Sequence, residues 1–396
     1  MANGQKRLLI MDDESSFCTF VEKAAARVGF DTTSLTDPAE FVTTLRAFSP
    51  SALVIDLKMP GFDGVQLLQR VRDEGCDAGI ILVSGMDQRV LSMAEKLGRS
   101  HGLNIVGVLQ KPVRLADLQA LLRSAASSQQ RFAPDELKHA IETGELIVHY
   151  QPKIERNDDR WLVNSAEALV RWRHPTEGLV MPGEFVPLAE EYDLIGPLTD
   201  YVLTTCVQQI SFWSKRKLDC RLAVNLSARS IEDLEFPDRL KRLMDEHDVA
   251  GSSLTLELTE SAAMADPTKA MDIFLRLRVA DLGLAIDDFG TGFSSLKQLY
   301  QLPFDELKVD RTFVQDLPGD DEARAIVRAT IDMGHALGMR VCAEGVETVG
   351  ALEYLESVNC DRAQGFLIGR PASASEFERL VGPWQLSPIA AVHSRR

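Results

Sequence analysis

Two textures of apolar residues alternate along the chain. Short apolar runs lie at Arg7–Met11, Ala52–Asp56, Gly79–Ser84 and Ile105–Gln110. Between them, as in Phe17–Val28 and Val65–Glu74, apolar positions recur every three or four residues. The first texture fits strands and the second fits amphipathic helices laid over them. Residues 1–123 are therefore predicted to form a flavodoxin-like, doubly wound α/β domain. The small polar stretch 124–131 (SAASSQQR) reads as a linker. From Phe132 the alternation resumes, with apolar runs at Ile147–Tyr150, Ala166–Arg171, Arg221–Asn225, Leu254–Leu258, Leu284–Asp287, Glu306–Val309, Arg340–Ala343 and Ala363–Leu367. Eight such runs over residues 132–384 predict a (β/α)8, TIM-like barrel, apolar inside, with its site at the C-terminal ends of the strands. The tail 385–396 reads as flexible.

Composition narrows the class. The 396 residues are 45% hydrophobic and carry a net charge of -16. Residues 1–129 hold 14 basic and 15 acidic side chains, so almost all of that charge falls on the second half. Duplex binding comes largely from Lys and Arg neutralising phosphates, so no nucleic-acid partner is expected. A phosphate-handling site in so acidic a domain needs added positive charge, which a carboxylate-bound metal can supply. No apolar run spans a bilayer, and no apolar signal stretch follows Met1–Arg7. Six cysteines are scattered without a CxxC pair. The expectation is a soluble cytoplasmic protein with reduced thiols and no membrane partner.

In the first half, Asp12 and Asp13 end the first strand, Asp56 the third and Ser84 the fourth, and Lys111 follows the fifth. In a doubly wound sheet these ends converge at one edge, where ligands bind. Three carboxylates gathered there call for a hard cation such as Mg²⁺. A lysine and a hydroxyl beside them suit a phosphoryl group. With "VIDLKMPGFDG", "ILVSG" and "QKP" in register, residues 7–123 resemble a response-regulator receiver domain. The resemblance implies Mg²⁺ held by Asp13 and Asp56 with support from Asp12. It also implies phosphorylation of Asp56 by a sensor histidine kinase, and contacts from Ser84 and Lys111 to the phosphoryl group. Val108 stands where many receivers carry an aromatic switch residue.

In the second half, nearly every predicted strand ends in a carboxylate, an amide or a lysine. These are Glu167, Asn225, Glu257, Asp287, Asp288, Lys308, Glu344 and Gln364. Acids aimed at one point in a barrel mouth call for cations. All-oxygen donors favour Mg²⁺ or Mn²⁺, and more than one ion balances the charge better than one. Two close metals suit in-line displacement at phosphorus. The acidic neighbourhood of Lys308 tends to raise its pKa, which favours a positioning role. The run from Asp287 to Gly292 (DDFGTG) is a strand end followed by a glycine-rich loop.

The motifs YQPK, EALVRW, PGEFVPLAEE, VNLS, ELTES, DDFGTGFSSL, LKVDRTFV, AEGVET and QGFLIGRP make residues 132–384 resemble the EAL domain, the cyclic-di-GMP phosphodiesterase family. The resemblance implies that Glu167, Asn225, Glu257 and Asp287 hold one of two Mg²⁺ or Mn²⁺ ions. Asp287 bridges to the second, which Asp288 also holds. Glu344 and Gln364 complete the metal and water shell, and Lys308 holds the catalytic water. Gln151, Leu169, Arg171, Asp310 and Glu347 match substrate-lining positions. Glu260 matches the acid that anchors the glycine-rich loop at the family's dimer contact. The implied protein is a response regulator, a homodimer or higher oligomer, whose output domain opens cyclic-di-GMP to linear 5′-pGpG under control of Asp56. A receptor that binds cyclic-di-GMP without turnover is the competing expectation. A transcription factor is disfavoured by the acidity. The pair His247-Asp248 sits in a charged helical stretch and reads as a solvated face.

Overall fold

A computed structural model describes residues 6–59, 62–86, 88–126, 131–158, 160–264, 267–290 and 296–385. The chain divides into two compact units, Met1–Arg131 and Phe132–Arg396. Half of the stretch expected to link them, most of the expected tail, Pro60 and Gly61 of the motif after Asp56, and Thr291–Ser295 of the glycine-rich loop lie outside the described residues.

The first unit is built on five parallel strands, β1 (Arg7–Met11), β2 (Asp31–Leu35), β3 (Ala52–Asp56), β4 (Gly79–Ser84) and β5 (Ile105–Gln110), in the order β2-β1-β3-β4-β5. The central strands β3 and β4 are buried along their whole length, which explains their unbroken apolar runs. Alternate side chains serve opposite faces. Leu9, Met11, Leu53 and Ile55 enter one core layer, and Leu8, Ile10, Ala52 and Val54 the other. Strand β2 (DTTSL) escaped the apolar pattern because it is a sheet edge, with only Leu35 buried.

The second unit closes eight strands into a barrel: β6 (Leu146–Asn157), β7 (Arg160–His174), β8 (Arg221–Asn225), β9 (Leu254–Thr259), β10 (Gly283–Phe289), β11 (Glu306–Val309), β12 (Arg340–Ala343) and β13 (Arg362–Gln364). All eight predicted strands are present. Strand β6 runs antiparallel to both its neighbours, β7 and β13. Residues 158 and 159 join β6 directly to β7, and a link that short can make only a hairpin, because a parallel crossover needs a dozen residues or more. The reversal carries Gln151 towards the mouth of the barrel and Glu155 towards its base.

The barrel interior departs from the apolar packing expected of it. Lys153, Glu257, Glu306, Lys308 and Arg362 are each 4% exposed or less. They pair between strands that are not neighbours, so they fill the inside: Lys153 of β6 with Glu257 of β9, and Arg362 of β13 with Glu306 of β11. At the base, Glu155 receives Arg362 at 3.2 Å, Arg340 at 3.4 Å and a close contact from Arg221. Burial alone would raise the Glu155 carboxyl, but Arg362, Asn164 and Arg221 together hold it at about 2.

All four tryptophans lie beyond residue 131, so their fluorescence reports on the barrel alone. Arg362→Met leaves Glu306 without its buried partner and should destabilise the barrel by about 3–5 kcal/mol in urea denaturation. Because the Glu155 pKa is depressed on folding, its contribution is full above the ordinary carboxylate range. It is lost as pH falls towards about 2. Glu155→Gln should therefore lower barrel stability at pH 7 and flatten the loss between roughly pH 4.5 and 2.5.

Candidate active site

The acidic side chains at the barrel mouth stand at or near the C-terminal ends of their strands, except Glu167, which lies midway along the long strand β7. Glu167 on β7 is buried and accepts from Asn225 Nδ2 and from Gln364 Nε2, both at 2.7 Å. Gln364 also donates to Gln151 Oε1 at 3.2 Å, which ties β13, β7 and β6 together. Glu257 on β9 is fully buried between two ammonium groups. Lys153 contacts Oε1, and Lys308 donates to Oε2 at 2.6 Å. Lys308 reaches Glu344 Oε1 at 2.6 Å and Asp287 Oδ1 at 3.0 Å as well. The predicted metal and water residues thus form two linked sets, Glu167–Asn225–Gln364 and Glu257–Lys308–Asp287–Glu344.

The chain bends sharply after Asp287. Asp288 takes φ 54° and its N–H donates to Asp287 Oδ1 at 2.9 Å. Gly290 takes φ 93° and donates to Glu260 Oε2 at 3.1 Å, so a buried acid holds the start of the glycine-rich loop. Asp310 accepts from Thr312 N at 2.9 Å and caps the short helix Arg311–Gln315. Arg171 is buried and its guanidinium donates to Val170 O at 2.8 Å. It shares a strand face with Glu167 and the half-buried Leu169. Glu347 is exposed and accepts from Gln315 at 3.2 Å, apart from the central network.

Crowding sets the electrostatics. Burial alone would lower the Lys308 ammonium, but Glu257, Glu344, Glu167 and Asp287 outweigh it and hold Lys308 well above its usual value. Burial pushes Glu344 up to about 8, relieved in part by Lys308 and reinforced by Asp287, Glu167 and Glu257. Burial and the Asp287 and Asp310 charges push Asp288 up to about 6. One ammonium does not neutralise this many acids.

Carboxylate oxygens of Asp287, Asp288 and Glu344 lie within 4.8 Å of one another. Gln364 Oε1 is buried with no hydrogen-bond donor, and Glu344 Oε1 has the Lys308 ammonium at 2.6 Å as its partner. Oxygen donors alone, excess negative charge and an acceptor left open together fit hard divalent cations.

The first unit carries a smaller version. Asp12, Asp13 and Asp56 offer oxygens within 4.8 Å of one another, and Asp12 is fully buried. Lys111 reaches Asp56 Oδ2 at 2.8 Å and Asp12 Oδ2 at 2.9 Å. Ser84 is buried at the end of β4 and accepts from Met86 N at 3.2 Å. Gly64 packs directly on the end of β3, since a Cβ there would stand 2.5 Å from Asp56 O. Val108 is half-buried against the core layer that holds Leu9 and Ile55.

Sequence reasoning named YQPK but assigned Lys153 no role, and it passed over Glu155, Glu306 and Arg362. The available signal was two charges at alternate positions of one apolar strand, Glu306 and Lys308, which must point the same way. His247 follows the helix Phe236–Glu246, far along the chain from these residues, and its carbonyl accepts from Ser211.

Comparison with known proteins agrees with this geometry. Residues 135–371 match the EAL domain and residues 8–123 the response regulator receiver domain. The cyclic di-GMP phosphodiesterase PA2567 of Pseudomonas aeruginosa is 41% identical over 243 residues, 61% of this chain and 41% of that protein. The cyclic di-GMP phosphodiesterase PdeR of Escherichia coli is 37% identical over 243 residues, 61% of this chain and 36% of that protein. The chain thus spans about two fifths of the length of these curated relatives. A solved structure described as the PaMucR phosphodiesterase in complex with c-di-GMP is 40% identical, with a TM-score of 0.58. It is matched over 61% of this chain and 98% of that one. No helix among the described residues is long and apolar enough to cross a membrane.

Titration of the full chain with Mn²⁺ should resolve barrel and receiver binding. Asp287→Asn should weaken the barrel component by at least about tenfold and leave the receiver component in place. Asp56→Asn should do the reverse, as read by calorimetry or by the free-ion signal in electron paramagnetic resonance.

Proposed function

The chain belongs to the EAL domain family and carries a receiver domain ahead of it, and from that premise we propose that it hydrolyses cyclic-di-GMP to linear 5′-pGpG. The observation that carries the proposal is the complete set of converging oxygen donors around Lys308 at the barrel mouth. Glu167, Asn225, Glu257, Asp287, Asp288, Glu344 and Gln364 would hold two Mg²⁺ or Mn²⁺ ions. Bound there, such ions stabilise the attacking and the leaving oxygens of an in-line displacement at phosphorus.

The chain's own residues supply the rest. Arg171 is buried with one backbone carbonyl as its hydrogen-bond acceptor, so its remaining N–H groups suit a phosphate. Lys308 is held among Glu257, Asp287 and Glu344, which favour its ammonium form, so its role is to position the attacking water by donating to it. Water adds at phosphorus, its proton passes to a neighbouring carboxylate, and the bond from phosphorus to the ribose 3′ oxygen breaks. That oxygen leaves with a proton, and the 5′ phosphate remains on the linear product. Gln151, Leu169, Asp310 and Glu347 line the substrate in this proposal, and Glu260 anchors the loop that begins at Gly290.

The same proposal makes the receiver the control element. Asp56 accepts phosphate from a sensor histidine kinase, and Asp13 and Asp56, supported by Asp12, would hold the Mg²⁺ that balances the charge. Lys111 and Ser84, already at that edge, receive the phosphoryl oxygens.

Purified chain incubated with cyclic-di-GMP and Mg²⁺ should yield pGpG on chromatography, and Glu167→Ala should reduce the rate by at least about a hundredfold. A small phosphodonor such as acetyl phosphate should change the rate of the unsubstituted chain and not that of Asp56→Ala. Retained binding with no product would replace the enzyme with a receptor.

A further inference from the structure

Lys153, like Glu306 and Arg362, is a buried charged group that the proposed reaction leaves unused. It lies on β6, which runs against the direction of the other barrel strands, and stands opposite Gln364 on β13 and Ser165 on β7. Its side chain is 3% exposed and crosses the interior to Glu257, three strands away around the barrel. Its ammonium contacts Glu257 Oε1 and stands 4.0 Å from Glu306 Oε1. Glu257 Oε2 faces the other way, to Lys308 and through it to Asp287 and Glu344.

We propose that Lys153 is a positioning residue that occupies Oε1 of Glu257 from below, so that Glu257 offers the site one oxygen rather than two. Two arguments support this. A carboxylate on a strand end can rotate about its last torsion and present both oxygens to a cation, and a donor fixed on one oxygen removes that freedom. Lys153 also lies beneath the carboxylate, on the side away from the mouth, so it balances charge without entering the space where substrate binds. Lys308 cannot do both jobs, because it is shared among Glu257, Asp287 and Glu344. This role rests on the reading of the barrel mouth as a divalent-cation site.

The test uses the full chain, metal-free, with Lys153→Met, which keeps length and bulk and removes the charge and the donor. Mn²⁺ affinity is read by calorimetry and by the free-ion signal, alongside kcat and KM for cyclic-di-GMP. With Oε1 released and one positive charge removed, Mn²⁺ should bind the barrel at least threefold more tightly. Over the same substitution kcat should fall at least tenfold with KM within threefold. A role in packing alone predicts a different pattern: Mn²⁺ affinity unchanged or weaker, and activity reduced only as the folded fraction is reduced. That pattern overturns the proposal. If Lys153→Met does not fold, Lys153→Met combined with Glu257→Gln removes the stranded charge and should restore the folded barrel by tryptophan fluorescence. A double variant that stays unfolded overturns the role. Absence of Mn²⁺ binding by the unsubstituted chain overturns the cation site and this role together. Binding by the unsubstituted chain with equal affinity in Lys153→Met overturns this role alone.

Discussion

Glu257, fully buried between two ammonium groups, is the contact on which the rest of the barrel depends. A carboxylate moved from water into a protein interior loses several kcal/mol of solvation, and only close opposite charge with good hydrogen bonds compensates. Lys153 and Lys308 supply that, one to each oxygen, and hold the Glu257 carboxyl at about 2 against the upward push of burial. With Glu257 ionised and fixed, Lys308 is committed to the site and can draw Asp287 and Glu344 in behind it. The acids that remain under-compensated are those nearest the mouth, Glu344 and Asp288, and their raised pKa values reflect it. Charge is thus satisfied at depth and left in excess at the surface, which is the polarity a cation-dependent site needs.

The reversed strand β6 serves the same end. An ordinary strand of the barrel would deliver its C-terminal residues to the mouth and its start to the base. Because β6 is tied to β7 by a hairpin, its start brings Gln151 to the mouth, its middle places Lys153 under Glu257, and its end brings Glu155 to Arg221, Arg340 and Arg362. A single strand with alternate residues facing inward therefore spans the whole charged column. The column alternates in sign from Glu155 through Arg362, Glu306, Lys153 and Glu257 to Lys308. Such a ladder adds little net stability over an apolar filling, but breaking any rung strands a buried charge. Its gain is fixed geometry beneath the site.

How legible this was from sequence depended on what signal each feature leaves. The eight barrel strands were visible because each is a short apolar run, and the acids of the mouth because each lies within such a run or just after it. The polar edge strand β2 left no apolar run and was passed over. The reversal of β6 was missed because periodicity carries no strand direction, although the spacing between β6 and β7, too short for a helix, held the information. Lys153 sat inside a motif that was recognised as a whole, so its own burial was not asked about. Glu306 and Arg362 were missed because barrel interiors were expected to be apolar. Their pairing depends on contacts between non-adjacent strands, which no local pattern records.

The two acidic sites obey the same physics with opposite accessibility. Both place carboxylates at strand ends around one lysine, and both gather three acidic side chains whose oxygens lie within 4.8 Å of one another. The Lys111 side chain is 16% exposed at an open sheet edge, whereas the Lys308 side chain is 1% exposed inside a closed barrel. In the proposed function Lys111 meets a phosphoryl group delivered by another protein, so it has to remain reachable and its ion pairs with Asp12 and Asp56 have to be exchangeable. A lysine that must hold one water against one phosphorus is better immobilised and shielded, where each interaction is stronger. The first arrangement suits a site that changes state, and the second suits a site that turns over.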